Sequence, residues 1–239
     1  MLVAAAVCPC PPLLVPEVAA GAAPELAAAR DACADAVGVL AACRPDLLVV
    51  VGPAEDPCVY RQGAVGSFAG FGVDLSVRLG PGEPAEPGER APQELPPSLA
   101  VGAWLLERAG WADAPVEGLA VAEELAPRLC ADAGEELAAR AARVALLVMG
   151  DGSACRTLKA PGYLDERAAS FDQVASAALG TADTRTLLGF DERLACELKV
   201  AGRAPWQVLA GAARDAELAG RLLYEDAPYG VGYFVSVWS

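Results

Sequence analysis

Short hydrophobic runs without polar interruptions recur along the chain. The clear runs occupy residues 2–7, 46–52 and 144–150, and a weaker run occupies residues 115–122. Continuous runs of aliphatic and β-branched residues are typical of strands that are covered on both faces, as in a parallel sheet. The pattern therefore predicts several buried strands and a two-sided core.

Alanine-rich stretches with helical periodicity separate these runs. The first predicted helix begins near Pro24 and ends before Pro45, and another covers 98–110, with Ser98 as its cap and Gly110 at its end. Further helices are predicted after 153 and up to about residue 219. Strands that alternate with helices indicate an α/β fold with one mostly parallel or mixed sheet and helices on both faces.

Three other segments complete the predicted organisation. Alternating polarity at 71–79 favours an edge strand, and 221–227 and 229–238 are predicted as the last strands. The segment 80–97, rich in proline, glycine and glutamate, is predicted to be a flexible loop. No internal repeat or linker composition divides the chain, so a single domain over 1–239 is expected.

The charge balance limits the partners. The formal net charge is −14, and the chain has only two lysines, Lys159 and Lys199. A surface this acidic repels phosphate backbones and anionic lipids, so neither nucleic acid nor a membrane is an expected partner. No apolar run approaches the roughly 18 residues of a membrane helix, and the first residues lack the basic start of a signal peptide. We expect a cytoplasmic protein.

The chain contains no histidine at all. This absence excludes Ser-His-Asp and Cys-His catalysis, and it excludes an iron site built from two histidines and a carboxylate. A metal would need thiolate, carboxylate or backbone ligands. Proton transfer would need Asp, Glu, Cys, Tyr or Lys.

Eight cysteines in a cytoplasmic protein do not indicate a disulfide framework. Four of them lie in alanine-rich helical stretches, where cysteine is expected to act as a small buried hydrophobic residue: Cys33, Cys43, Cys130 and Cys196.

Three other cysteines follow predicted strands, where ligands bind in open α/β sheets. Cys10, Cys58 and Cys155 occupy these loops together with Asp56 and Asp151. Two interpretations remain open. The thiols either form a thiolate cluster for a metal ion, with Cys10 and Cys58 as ligands, or they are partly buried groups that line an apolar cleft.

The glycine-bearing segments carry weaker signals. The stretch 63–72 precedes a strand pattern, not the helix of a dinucleotide fingerprint. Ser153, in the segment GDGS, follows a buried strand but lacks the spacing of a nucleophile elbow. Ser153 with Lys159, or Cys155 by itself, remains a candidate nucleophile, and Asp151 is a candidate catalytic carboxyl group.

The order of several segments resembles the class III extradiol ring-cleavage dioxygenases of the LigB-like family, and their relatives the Memo proteins. The segments that carry the resemblance are CPCPPLLVPEV, VVVGP, FAGFGV, LLVMGDGSA, APGYLDERAASFD and AGRAPWQVLAGA. Together they extend over most of the chain, but they include no single diagnostic motif.

The resemblance implies an α/β fold with a ferrous iron site held by two histidines and a glutamate, and a further histidine as acid/base. It places the first ligand at Cys10, the second near Cys58 and the third at Ala201 or Gly202, while the acid/base falls on Ala154 or Cys155. Thiolates in place of imidazoles favour Zn²⁺ or Cu(I) over iron. The resemblance therefore implies a member that has lost ordinary catechol ring cleavage.

Three functional hypotheses follow. The first is a dioxygenase-like enzyme with an altered metal site. The second is a non-catalytic protein that binds a small molecule or a partner in the cleft where the family holds its metal. The third is an enzyme with Ser153 or Cys155 as nucleophile. The sequence leaves the presence of any cofactor open, and it is compatible with a homo-oligomer.

Overall fold

A computed structural model describes residues 1–82 and 94–239. The loop predicted to be flexible, 80–97, therefore lies largely outside the described residues. The strands, in chain order, are β1 (Leu2–Cys8), β2 (Leu47–Ala54), β3 (Cys58–Tyr60), β4 (Val65–Ser67), β5 (Ser76–Arg78), β6 (Val116–Ala122), β7 (Val144–Met149), β8 (Gly220–Asp226) and β9 (Tyr233–Trp238).

The helices alternate with these strands. They are α1 (Pro16–Ala19), α2 (Ala27–Ala42), α3 (Pro97–Ala109), α4 (Pro127–Ala138), α5 (Arg167–Thr181), α6 (Thr184–Leu188), α7 (Glu192–Glu197) and α8 (Arg203–Ala212). Short 3₁₀ turns occur at Pro12–Leu14, Ala20–Leu26 and Ala69–Phe71. Among the described residues, no helix is both long and apolar enough to cross a membrane.

Seven strands form one mixed sheet in the order β3-β6-β2-β7-β1-β9-β8. The four central strands β6, β2, β7 and β1 are parallel, and β3 and β9 flank them in antiparallel orientation. This arrangement confirms the predicted α/β fold. It also places the carboxyl ends of the four parallel strands at one edge of the sheet.

The sheet is covered on both faces, as the continuous hydrophobic runs predicted. In β2, Val50 packs with α2 and α3 in one core cluster, while Val49 and Val51 pack with α4, α5 and α8 in the other. Successive side chains of a strand point to opposite faces, so both faces of β2 must be apolar. This is why the segment shows no alternation.

Local details differ from the sequence-based prediction at three places. Only Ser76–Arg78 of the predicted edge strand 71–79 is extended, and it pairs with β4 in a small separate sheet. Ser98 is not the cap of α3, because Pro96 occupies that position and the Ser98 hydroxyl donates to the Pro53 carbonyl at 2.6 Å. The first long helix begins at Ala27, since the segment around Pro24 forms a 3₁₀ turn. Gly110 ends α3 with φ +66°, as predicted.

The prediction that four helical cysteines are buried is only partly right. Cys33 and Cys130 are buried, but Cys43 is half-buried and Cys196 is exposed. Both exceptions lie at or near the end of a helix, where fewer neighbours cover a side chain.

Candidate functional site

A cleft of about 1020 Å³ lies at the carboxyl ends of β2 and β6. The ends of β2 and β6 form two sides of this cleft, and α7 with the residues that follow it, up to Ala201, forms another side. Six carboxylates and two cations line it: Glu55, Glu123, Glu124, Asp191, Glu192, Glu197, Arg193 and Lys199. The acidic cleft, as we call it, thus carries an excess of negative charge where open α/β sheets bind ligands.

A buried arginine holds one wall of the acidic cleft. Arg203, the first residue of α8, is only 1% exposed. Its guanidinium donates to the carbonyls of Leu125 (2.6 Å) and Glu123, and to Gln207 Oε1 at 2.8 Å. These bonds fix the turn after β6 that carries Glu123 and Glu124. A buried cation bound mainly by carbonyls is also favoured by a negative field nearby.

Asp151 follows β7 and joins it to the loop after β1. Its Oδ1 accepts the backbone N–H of Cys10 at 2.8 Å, and its carbonyl accepts the N–H of Gly202, also at 2.8 Å. Burial raises the pKa of Asp151 to about 7 against the lowering effect of the Cys10 bond, and Glu123 raises it further. The group can therefore exchange a proton near neutral pH. It remains the best acid/base candidate among the predicted residues.

Ser153 is held by a second buried carboxylate, Asp172 of α5. Asp172 accepts the Ser153 backbone N–H and hydroxyl, both at 2.8 Å, and pairs with Arg156 at 3.0 Å. Both Ser153 and Asp172 are 0% exposed. A ligand cannot reach the Ser153 hydroxyl in this state, so its bonds describe an anchor of the loop and not a nucleophile.

Cys155 is also buried, at 1% exposed, and its Sγ lies 3.5 Å from the Leu198 carbonyl. Burial raises the pKa of this thiol, and Asp165 adds to that increase. A protonated, covered thiol is a poor nucleophile. The exposed thiol of the acidic cleft is instead Cys196, which the helical pattern had assigned to the core.

The structure does not bring Cys10 and Cys58 together. Cys58 in β3 pairs with Ala120 of β6, which pairs with Gly52 of β2. Val51 of β2 pairs with Val148 of β7, so Gly52 lies level with Met149, which pairs with Cys8 of β1. Cys58 and Cys8 thus lie at one level of the sheet but four strand spacings apart, roughly 19 Å. The predicted Cys10–Cys58 metal pair is therefore wrong as a shared coordination sphere.

Other metal ligands are not assembled there either. Within residues 1–82 and 94–239, no three His, Cys, Asp or Glu side chains form a group that could hold a metal ion. Burial, with Asp151, Glu123 and Cys8, raises the pKa of Cys10 well above its usual value, which disfavours the thiolate that a soft metal requires. The residues present at Cys10 do not fit Fe(II), Zn²⁺ or Cu(I).

The loops after β1, β2 and β7 do reach the same edge, but they do not all enter one cleft. The β1 and β7 loops meet at Asp151, whereas Ala54 and Glu55 carry the end of β2 into the acidic cleft. Ala201, at a position that the resemblance assigns to the third ligand, lines this cleft. Sequence reasoning missed Arg203, Asp172 and the carboxylates after β6, although a charged pair directly after a buried strand is a usable signal.

Comparisons with known proteins show the fold only. No protein-family model matches the chain, and no curated protein matches it in sequence. Among solved structures, it is similar to the crystal structure of the uncharacterized protein JW3007 from Escherichia coli K12, with a TM-score of 0.60 and 16% sequence identity. The match covers 99% of both chains. It supports one continuous α/β domain over the whole length.

Proposed function

We propose that the protein is a LigB-like α/β protein without ring-cleavage activity that binds a small, positively charged organic molecule in the acidic cleft. The observation that carries this proposal is the cleft itself, with six carboxylates against two cations at the carboxyl ends of two parallel strands. The proposal combines the resemblance to the LigB-like family with the hypothesis of a non-catalytic protein that binds a small molecule or a partner.

The charges of the acidic cleft favour a cationic ligand. Arg193 is already paired with Glu197 at 3.0 Å, and Glu197 also pairs with Arg167 at 2.9 Å. Among the described residues that line the cleft, Lys199 is then the one cation besides Arg193. The five carboxylates other than Glu197 face it with an excess of negative charge. A cleft lined by one sign of charge concentrates ligands of the opposite sign.

The remaining lining favours an organic cation over a bare metal ion. Small apolar side chains lie between the carboxylates: Ala54, Ala122, Ala195, Val200 and Ala201. Such surfaces contact the methylene groups of an aliphatic amine while carboxylates receive its N–H groups. The cleft volume of about 1020 Å³ is that of a site for small organic molecules.

We expect spermidine, used as a cationic probe, to bind measurably at low salt, whereas the dianion glutarate does not. The double variant Glu55→Lys/Glu124→Lys is expected to weaken spermidine binding by about tenfold or more, because each substitution replaces attraction by repulsion. Isothermal titration calorimetry gives the dissociation constants. The matched control is the double variant Glu17→Lys/Glu136→Lys, which makes the same change of net charge at exposed glutamates of α1 and α4 outside the cleft. If the control weakened spermidine binding equally, the effect would come from the net charge of the protein alone. That result would contradict a binding site in the cleft.

We also expect no ring cleavage of simple catechols with added Fe²⁺. The chain has no histidine, and Ala201 and Gly202 offer no side-chain ligand at the position of the third metal ligand in the resemblance. The assay follows the yellow ring-opened product against a buffer control under air. Product that forms above this control and disappears in Cys10→Ala would contradict the loss of activity.

The other expected properties belong to the same proposal. A cytoplasmic location is part of the proposal, and it fits the eight cysteines, among which the described residues contain no disulfide. The net charge of −14 argues against nucleic acid and anionic membranes as partners. Burial of Ser153 and Cys155 removes the support for a nucleophilic enzyme built on either residue.

A further inference from the structure

The strand β8 forms one edge of the main sheet. It is last in the strand order and pairs with β9, and among the described residues no strand pairs with its outer side. The opposite edge is β3, which has only three residues, whereas β8 has seven. An edge strand presents a row of backbone groups that another strand can bond. The longer of these rows belongs to β8.

The hydrogen bonds to β9 determine which backbone groups of β8 point outward. Directly before β8, the Ala219 N–H donates to the Ser239 carbonyl at 3.1 Å, and the Ser239 N–H donates to the Ala219 carbonyl at 3.2 Å. Bonded and non-bonded pairs alternate along antiparallel strands, and the register continues without a shift as far as Leu222. The N–H and C=O groups of Gly220 and Leu222 are therefore directed away from β9. No other described residue bonds to these groups.

The side chains of β8 are complementary to those of a second β8. The exposed cation Arg221 lies near the start of the strand, and the exposed carboxylates Glu225 and Asp226 lie at its end. Between them are three half-buried apolar and aromatic residues, 222–224. Two such strands in antiparallel orientation place each arginine beside the carboxylates of the other copy, whereas parallel strands would oppose like charges.

We propose that β8 is the interface between two copies of this chain, which pair their β8 strands in antiparallel orientation about a twofold axis. The two sheets then form one continuous sheet, and the free groups of Gly220 and Leu222 gain partners. A twofold interface uses the same surface of both copies, so the assembly closes as a dimer. This interface does not depend on ligand binding in the acidic cleft.

Two features of the chain limit the strength of the dimer. The register of β8 shifts between Leu222 and Tyr224, and such a bulge shortens the regular ladder. Each copy also has a formal net charge of −14, which opposes association. Salt at a physiological concentration screens charges that lie more than about 8 Å apart. Under these conditions we expect a reversible dimer with a dissociation constant roughly in the micromolar range.

Sedimentation velocity on the full chain, from micromolar to near-millimolar concentration, measures this equilibrium. We expect Arg221→Glu to weaken the dimer by about tenfold or more, because it sets carboxylates against carboxylates at two symmetric positions. The matched control is Arg61→Glu, which makes the same change of charge at an exposed residue directly after β3. This control should leave the dimer within about twofold of wild type, and circular dichroism verifies the fold of each variant.

A charge reversal tests the pairing itself. Adding Glu225→Lys and Asp226→Lys to Arg221→Glu restores opposite charges across the interface, so the dimer should return to within about threefold of wild type. The same net charge is obtained by adding Glu17→Lys and Glu136→Lys to Arg221→Glu, at exposed positions outside β8. This second triple variant should remain weak. Equal recovery in both triple variants, or in neither, would overturn the proposal.

Hydrogen exchange locates the contact. The amides of Gly220 and Leu222 should exchange at least about tenfold more slowly in concentrated than in dilute protein, and this difference should disappear in Arg221→Glu. The proposal is also overturned by a monomer at every concentration, or by a dimer that Arg221→Glu and Arg61→Glu affect alike. A dimer that leaves both amides as labile as in the monomer would show that the copies meet at another surface.

Discussion

Replacing Asp151 by asparagine is expected to stabilise the protein at neutral and alkaline pH. The pKa of Asp151 is raised to about 7 by burial, so above that pH the folded state must hold a charge that its surroundings disfavour. An asparagine at this position would keep an oxygen for the Cys10 N–H, which donates to Oδ1 in the native chain at 2.8 Å. The substitution thus removes the charge and retains the bond.

The direction of the pH dependence follows from proton linkage. Between about pH 4 and pH 7 the folded state keeps the Asp151 proton while the unfolded state has lost it, so wild-type stability falls as pH rises through this window. Below about pH 4 both states are protonated and the variant gains nothing. Above about pH 7 the gain is complete and reaches at most about 4 kcal/mol, since each unit of pKa shift corresponds to about 1.36 kcal/mol.

Urea unfolding of wild type and Asp151→Asn at pH 4, 6 and 8 measures this difference directly. Groups that do not interact with Asp151 contribute equally to both curves, so the difference between the curves reports on Asp151 and the groups coupled to it, such as Glu123. Asp56→Asn, which changes an exposed carboxyl group before β3, serves as the control and should show no comparable trend. A difference that stays constant with pH would contradict a raised pKa at Asp151.

Replacing Asp172 by alanine is expected to be the most destabilising single change considered. Asp172 is 0% exposed and accepts hydrogen bonds from the Ser153 N–H, the Ser153 hydroxyl and Arg156. Without it, two buried donors and one cation lose their acceptor. Breaking a buried ion pair on one side typically costs about 3–5 kcal/mol.

The experiment compares three variants by urea unfolding. Asp172→Ala should lose the most stability, and Asp172→Asn less, because an amide fills the same space and keeps an acceptor for the Ser153 N–H. Asp165→Ala, which removes a partly exposed partner of Arg167, should have a much smaller effect. If Asp172→Ala were no more destabilising than Asp165→Ala, the loop after β7 would not depend on this anchor.

The two carboxylates illustrate how similar residues near one strand end take different roles. Asp151 belongs to the loop itself and its side chain accepts one backbone N–H, so its charge is poorly compensated. Asp172 reaches the loop from α5 and meets three donors, one of them cationic. Burial raises the pKa of both, but only Asp172 has Arg156 to oppose the effect.

The amino-acid sequence by itself determined the class of fold. The runs 46–52 and 144–150 were recognisable as strands covered on both faces, because a strand between two helical layers must be apolar at every position. Gly110 was recognisable as a helix end, since a left-handed residue strongly favours glycine. These features depend on neighbours along the chain, which the sequence displays directly.

The site required the tertiary structure. Asp151 was a candidate because it follows a buried strand, yet its bond to Cys10 depends on β1 and β7 being adjacent. Cys58 looked equivalent to Cys10, but its strand pairs antiparallel with β6 at the far side of the sheet. Strand order is a property of long-range pairing, and no local pattern encodes the distance between two loops.

The burial of single cysteines depends on packing as well. Cys8 and Cys33 lie in one core cluster because α2 packs on β1. The exposure of Cys196 likewise depends on which side of the short helix α7 faces the acidic cleft. Periodicity thus determined which segments are helices and strands, whereas the order in which they pack decided which reactive side chains meet.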